Sequence, residues 1–208
     1  MTQIPSEYQS PLYHWTLLLS DRLSPSFRRL GFTPNGITTL SLVCGVVAVW
    51  YLVQGTATGV LGFGIWYLIQ YFFDCMDGYY ARRYGLTSEF GDWYDHLKDT
   101  GLYLAICYIL VRQYGLLHSP VSLLVLVSLA VLQYVYNGCL GVYRDDGPEP
   151  EGWATMTLAR RWCRRGDPSR VTTRLRWLRW FGTSTCVVGV WVVVAYLWLI
   201  HRHRATPS

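Results

Sequence analysis

The chain has 208 residues and a formal net charge of +5; 51% of its residues are hydrophobic, 16% aromatic and only 15% charged. A water-soluble domain of this size carries about a quarter charged residues, and here the apolar residues gather into long blocks instead of recurring at helix or strand period. An ordinary soluble fold is therefore excluded, and since about 20 apolar residues cross a bilayer, the blocks predict five membrane crossings.

Residues 1–31 precede the first block. Their stretch "SPLYHWTLLLSDRLSPSFRRLG" is apolar over too short a length to cross and then turns basic, which predicts an amphipathic helix lying along the membrane surface. The first crossing is 32–53, too far into the chain for a cleaved leader. A "QGTATG" turn leads to the second crossing, 60–82; the third is 92–111 and the fourth 121–143. The loop 144–180 begins acidic and rich in Gly and Pro, then becomes basic with interleaved Trp, a composition that suits an anionic headgroup layer better than a nucleic acid. No nucleic-acid partner is expected. The fifth crossing is 181–200. The expected class is an all-α integral membrane protein: a bundle of five transmembrane helices with an N-terminal interfacial helix. It is organised as a cytosolic segment (1–31), a four-span core (32–143), a basic cytosolic loop (144–180) and a last span with its tail (181–208).

Basic residues in short flanking loops set orientation. Arg22, Arg28 and Arg29 precede span one; Arg82, Arg83 and Lys98 lie around the junction of spans two and three; eight arginines from Arg160 to Arg179 lie between spans four and five. Alternation puts all three groups on one side, the cytosol, against only Arg112, Arg202 and Arg204 on the other. The six cysteines (44, 75, 107, 139, 163, 186) form no Cys-x-x-Cys pair, and five lie within spans, so they are read as free, small apolar residues.

Six of the thirteen acidic residues fall between Asp74 and Asp99. On a helix, Asp74, Asp77 and Ala81 share a face with Gly78 beside them, and Asp95 and Asp99, four apart, share a face of the next. Antiparallel neighbours joined by "RYGLTSEF" bring four carboxylates to one spot near the cytosolic end. Unpaired, four such charges repel and resist desolvation; divalent cations remove the objection. Carboxylates alone suit Mg²⁺ or Mn²⁺ better than Zn²⁺, and two ions held by shared carboxylates form a clamp for phosphoryl transfer. Gly78 and Gly91 leave room for a ligand, and Arg82 offers a planar donor fork for phosphate. Plainer roles fit the neighbours: Asp92 as an acid in a helix first turn, Arg83 as a topology determinant, Lys98 snorkelling or pairing with an acid, and His96 as a hydrogen-bonding helix residue.

The stretch Asp74-x2-Asp77-Gly78-x2-Ala81-Arg82-x8-Gly91-x3-Asp95-x3-Asp99 resembles the signature of the CDP-alcohol phosphotransferases (CDP-alcohol phosphatidyltransferases) at all eight of its fixed positions. "TPNGITTLSLVCG", which contains Asn35, is similar to the opening of that family's first span. The resemblance implies a phospholipid-synthesising enzyme that joins a CDP-linked alcohol to a second alcohol and releases CMP. It implies that Asp74, Asp77 and Asp95 hold the metals, that Asp99 also approaches them and deprotonates the acceptor hydroxyl, and that Gly78, Ala81, Arg82 and Gly91 form the CDP pocket. It also implies a homodimer and six spans, one more than the sequence offers.

Two subclasses compete. One transfers a phosphatidyl group from CDP-diacylglycerol to a polar alcohol, and the compact chain favours it. The other joins CDP-choline or CDP-ethanolamine to diacylglycerol, and the Asp-His-x-x-Asp of "DHLKD" together with "SPLYHW" resembles that one. Asn35, Arg83, His96, Lys98 and Arg144 are the candidates for acceptor or auxiliary contacts. Outside this class, a membrane prenyltransferase needs two distant Asp-rich motifs, and a cation transporter spreads its carboxylates toward the bilayer midplane. An inactive membrane scaffold has no need of the intact set of four aspartates.

Overall fold

The computed structural model describes residues 5–144, 154–164 and 169–205. Among them there is no strand; eight α-helices are joined by short connections and three 3₁₀ turns. They are α1 (Pro11–Arg29), α2 (Pro34–Val53), α3 (Ala57–Tyr84), α4 (Glu89–Arg112), α5 (Pro120–Arg144), α6 (Ala154–Arg164), α7 (Ser169–Leu178) and α8 (Thr183–Ala205). The chain is an all-α integral membrane protein. Four stretches are long and apolar enough to cross a bilayer: α2, α3, α5 and the region ending in α8. At 24 residues α4 is also long enough, but its first half carries the acidic residues, which lowers its hydropathy.

Two compact units divide the chain: Trp15–Leu124 with Val187–Ser208, and Met1–His14 with Val125–Cys186. In the larger unit the helix starts are written locally. Thr33, Thr56 and Ser88 are N-caps whose hydroxyls accept from the backbone N–H of Gly36, Gly59 and Gly91 at 3.0–3.1 Å. Pro34 occupies the first turn of α2, where its missing N–H has no cost. At the other end of α3, Gly85 adopts the left-handed conformation (φ 64°) and Leu86 N–H closes onto the Ala81 carbonyl at 2.8 Å, which stops the helix and turns the chain back into α4.

Helix α2 runs antiparallel to α3 and parallel to α4. Thr38 meets Asp77 and Ser41 meets the Gln70 carbonyl, whereas Thr39 meets Tyr94, Ser41 meets Lys98 and Gly45 lies under Leu102. A side chain at position 45 would collide with Leu102, so glycine there sets the close approach of α2 to α4, the way small residues draw helices together in membranes. Ile37, Met76 and Tyr80 are buried with Leu23 and Phe27 of α1 packed on them, and the Tyr80 hydroxyl donates to the Phe32 carbonyl at 2.8 Å. Helix α1 buries the small polar face Thr16, Ser20 and Ser24 and exposes Trp15, Leu18 and Leu19.

The smaller unit has its own core of Tyr8, Tyr136, Cys139, Cys163, Val171 and Leu175. Here the reading of six free cysteines is corrected. Cys139 and Cys163 form a disulfide with Cα atoms 5.2 Å apart, leaving Cys44, Cys75, Cys107 and Cys186 free. The pair is 24 residues apart and has no motif spacing; only the packing of α6 on α5 brings it together. Helices α6 and α7 have 11 and 10 residues, about 16 Å at 1.5 Å per residue, too short to cross, so the described residues between α5 and α8 hold no sixth span. Several arginines of this loop have partners within the unit. Arg174 donates to the carbonyls of Trp162 and Cys163 at the end of α6, and Arg179 to that of Glu7.

Candidate metal and phosphate site

The site lies where the end of α3 meets the starts of α2 and α4. Asp74, Asp95 and Asp99 each offer a carboxylate oxygen, and these oxygens lie within 4.8 Å of one another. Helical spacing places Asp95 and Asp99 one turn apart on α4, and the antiparallel return brings Asp74 of α3 against them. Asp77 takes a different partner. It is almost fully buried, one turn along α3 from Asp74, and accepts from the Thr38 hydroxyl at 2.7 Å.

Lys98 fills the centre of the trio. Its ammonium bonds Asp74 directly, lies 2.8 Å from Asp95 Oδ1 and 3.1 Å from Asp99 Oδ1, and donates to Ser41 Oγ at 3.4 Å. It is 4% exposed. Pairing with an acid, the plain reading of this residue, is what the structure has, but with three acids at once. That arrangement is itself a fit test for metal: the donor set already accommodates a positive charge, all its donors are hard oxygens, and Asp99 keeps half of its side chain accessible for an incoming ligand. The trio would hold a divalent cation.

At the two glycines of the signature a neighbouring side chain lies where a Cβ would stand. The Arg82 guanidinium lies over Gly78, where an added Cβ would meet its nitrogen at 3.1 Å. At Gly91 a Cβ would stand 2.9 Å from Asn35 Oδ1, so a side chain there would push Asn35 off the first turn of α4. Ala81 is half-buried beside them on α3. The two adjacent arginines differ. Arg82 is exposed and makes no ion pair among the described residues. Arg83 pairs with Asp21 of α1, donates to the Asp21 carbonyl at 3.0 Å and contacts the Tyr79 hydroxyl at 3.2 Å. Tyr79 also donates to Asp21 at 2.5 Å. That bond first, and Arg83 beside it, hold the Asp21 carboxyl below the ordinary aspartate range. Arg83 thus ties α1 to α3.

His96 is exposed on α4, and Asp92 lies in its first turn. The Arg144 side chain lies outside the described residues. Sequence reasoning missed Thr38, Ser41 and Tyr94. The signal was available: Thr38, Ser41 and Gly45 recur at three and four residues and form a small, hydroxyl-bearing stripe on an otherwise apolar helix. Next to the cluster a cavity of about 390 Å³ opens along α2 and α4, lined by Leu42, Val46, Val49, Leu97 and Leu102, with the Lys98 stem in its wall.

A family model described as CDP-alcohol phosphatidyltransferase matches residues 32–200. No curated protein and no solved structure matches the chain at a significant level.

Proposed function

As a member of the CDP-alcohol phosphatidyltransferase family, the chain is a multi-pass membrane transferase of phosphate-containing groups that acts in phospholipid synthesis, and we propose that it transfers the phosphatidyl group of CDP-diacylglycerol to a polar alcohol with release of CMP. The observation that carries this reading is the convergence of Asp74, Asp95 and Asp99 within 4.8 Å, with the exposed Arg82 farther along α3.

In this reading Asp74, Asp77, Asp95 and Asp99 would hold the divalent ions, Mg²⁺ or Mn²⁺, which when bound would offset negative charge on the diphosphate. Arg82 donates its fork to a phosphate of the donor, and Gly78 and Gly91, which carry no side chain, let Arg82 and Asn35 lie close against the backbone beside the nucleotide. Asp99, the most accessible of the trio, takes the proton of the acceptor hydroxyl. The acceptor oxygen bonds to phosphorus as the phosphorus–oxygen bond to CMP breaks, and the proton stays on Asp99 until the product leaves. The cavity along α2 and α4 supports a lipid substrate at this site, since its lining is mostly apolar, with Tyr94 and Lys98 the polar residues in it. The proposed chemistry lies in the 32–143 core, and the arginine distribution supports a site facing the cytosol.

The test is CMP release by purified protein in detergent. CDP-diacylglycerol with a panel of polar alcohols runs beside CDP-choline and CDP-ethanolamine with diacylglycerol, each with Mg²⁺, Mn²⁺ or chelator. Release from CDP-diacylglycerol that requires acceptor and metal and is lost in Asp99→Asn is the expected result. Release only from a CDP-aminoalcohol would replace the proposed donor by the other subclass. No release from any donor by folded protein would sink the reading.

A further inference from the structure

We propose that Lys98 is a built-in cation of the carboxylate trio, in direct competition with a divalent ion for the same oxygens, so that metal binding requires the ammonium to leave. This rests on the reading of the trio as the metal site. The ammonium touches a carboxylate oxygen of each of Asp74, Asp95 and Asp99, the three residues whose carboxylates offer oxygens within 4.8 Å of one another. A divalent ion bound through them has a like charge as its nearest neighbour unless Lys98 moves away.

The choice of residue supports the role. Of the eighteen basic side chains in the sequence, Lys98 is the only lysine; the other seventeen are arginines. Lysine is a compact point charge with three donors; here they go to Asp74, Asp95 and Ser41 while the same head stands 3.1 Å from Asp99, whereas arginine's flat fork matches two oxygens in one plane. Lysine also has somewhere to go. Its stem already forms part of the wall of the apolar cavity along α2 and α4, and four methylenes let the head swing along that wall while the stem stays buried. Lys98 is therefore a positioning residue: it holds Asp74, Asp95 and Asp99 together in the absence of metal and sets how tightly metal binds. It takes no part in bond making.

Two measurements on the full-length protein in detergent test this, with Mn²⁺ as the probe. Because Lys98 is the sole lysine, acylation by an amine-reactive reagent, read on the peptide carrying it, reports only on its exposure. In chelator-stripped protein Lys98 should label slowly, and saturating Mn²⁺ should speed labelling severalfold, an effect absent from Asp95→Asn. Direct Mn²⁺ titration should show Lys98→Met binding at least about tenfold tighter than the unmodified chain, while its metal-free Tm falls and is restored by Mn²⁺. If the unmodified chain binds Mn²⁺ yet labelling does not respond, or Lys98→Met binds Mn²⁺ no more tightly, the competition is refuted and the metal site stands. If the unmodified chain binds no Mn²⁺, the metal-site reading itself falls, and the competition with it. Should Lys98→Met fail to fold even in Mn²⁺, labelling of the unmodified chain decides alone.

Discussion

The Thr38 hydroxyl gives Asp77 a hydrogen-bond partner of its own beside the cluster. An aspartate that is almost fully buried would be strongly destabilising without a donor, and the 2.7 Å bond from Thr38 supplies one. Thr38→Val keeps the shape and removes the donor, so it should lower stability by about 1–3 kcal/mol and reduce CMP release, while Thr38→Ser should restore most of both. Thermal unfolding and turnover of the two variants, compared side by side, check this. Asp21 gives a pH signature. Its carboxyl is held low by the Tyr79 hydroxyl and then by Arg83, so the folded state gains stability above the ordinary aspartate range, about pH 4, and loses it as pH falls through the lowered value. Asp21→Asn should therefore have a lower Tm than the unmodified chain near neutrality and match it in acid. The difference should be small, because Asp21 is exposed and its partners are solvated.

Helix packing depends on similarly local choices. Gly45 lets α2 approach α4 until Leu102 lies where a Cβ would be, with 2.5 Å between that Cβ and the leucine methyl. Gly45→Val should force the two helices apart, costing about 1–3 kcal/mol from overpacking. Because Ser41 and Lys98 lie one turn along the same contact, the variant should also weaken Mn²⁺ binding; unchanged binding in a destabilised variant would show that the trio is held by α3 and α4 alone. In the smaller unit the Cys139–Cys163 disulfide joins α5 to α6. Alkylation of denatured, unreduced protein, read by intact mass, should modify four cysteines, and six after reduction.

At the scale of the whole molecule, the composition argues for a membrane solvent. Large apolar side chains such as Val43, Trp50, Ile65, Tyr108 and Leu124 are exposed on the long helices, an arrangement that water would penalise and lipid does not. If α4 crosses along with the four strongly apolar stretches, the count of crossings is odd and the N-terminal segment and the tail after α8 lie on opposite faces. Reporter tags at the two ends of the chain, probed in sealed vesicles, should be protected on opposite sides; protection on the same side would remove one crossing, and α4, the least apolar, would be the one in question.

By itself the sequence determined which segments become helices and which residue types share a face. Those depend on short-range terms: the hydroxyl caps at Thr33, Thr56 and Ser88, the left-handed stop at Gly85 and the runs of apolar residues between them all act within a few positions of the chain. The acidic signature was legible for the same reason, since Asp74 with Asp77 and Asp95 with Asp99 are each pairs within one turn. Tertiary structure alone decided which carboxylates meet and what stands among them. Whether Asp77 joins Asp74 or turns to Thr38, whether Lys98 points to lipid or into the trio, whether Arg82 or Arg83 is taken by Asp21, and whether Cys139 finds Cys163 are all choices between partners far apart in the chain. Such choices are set by the crossing of packed helices, and no local propensity encodes them.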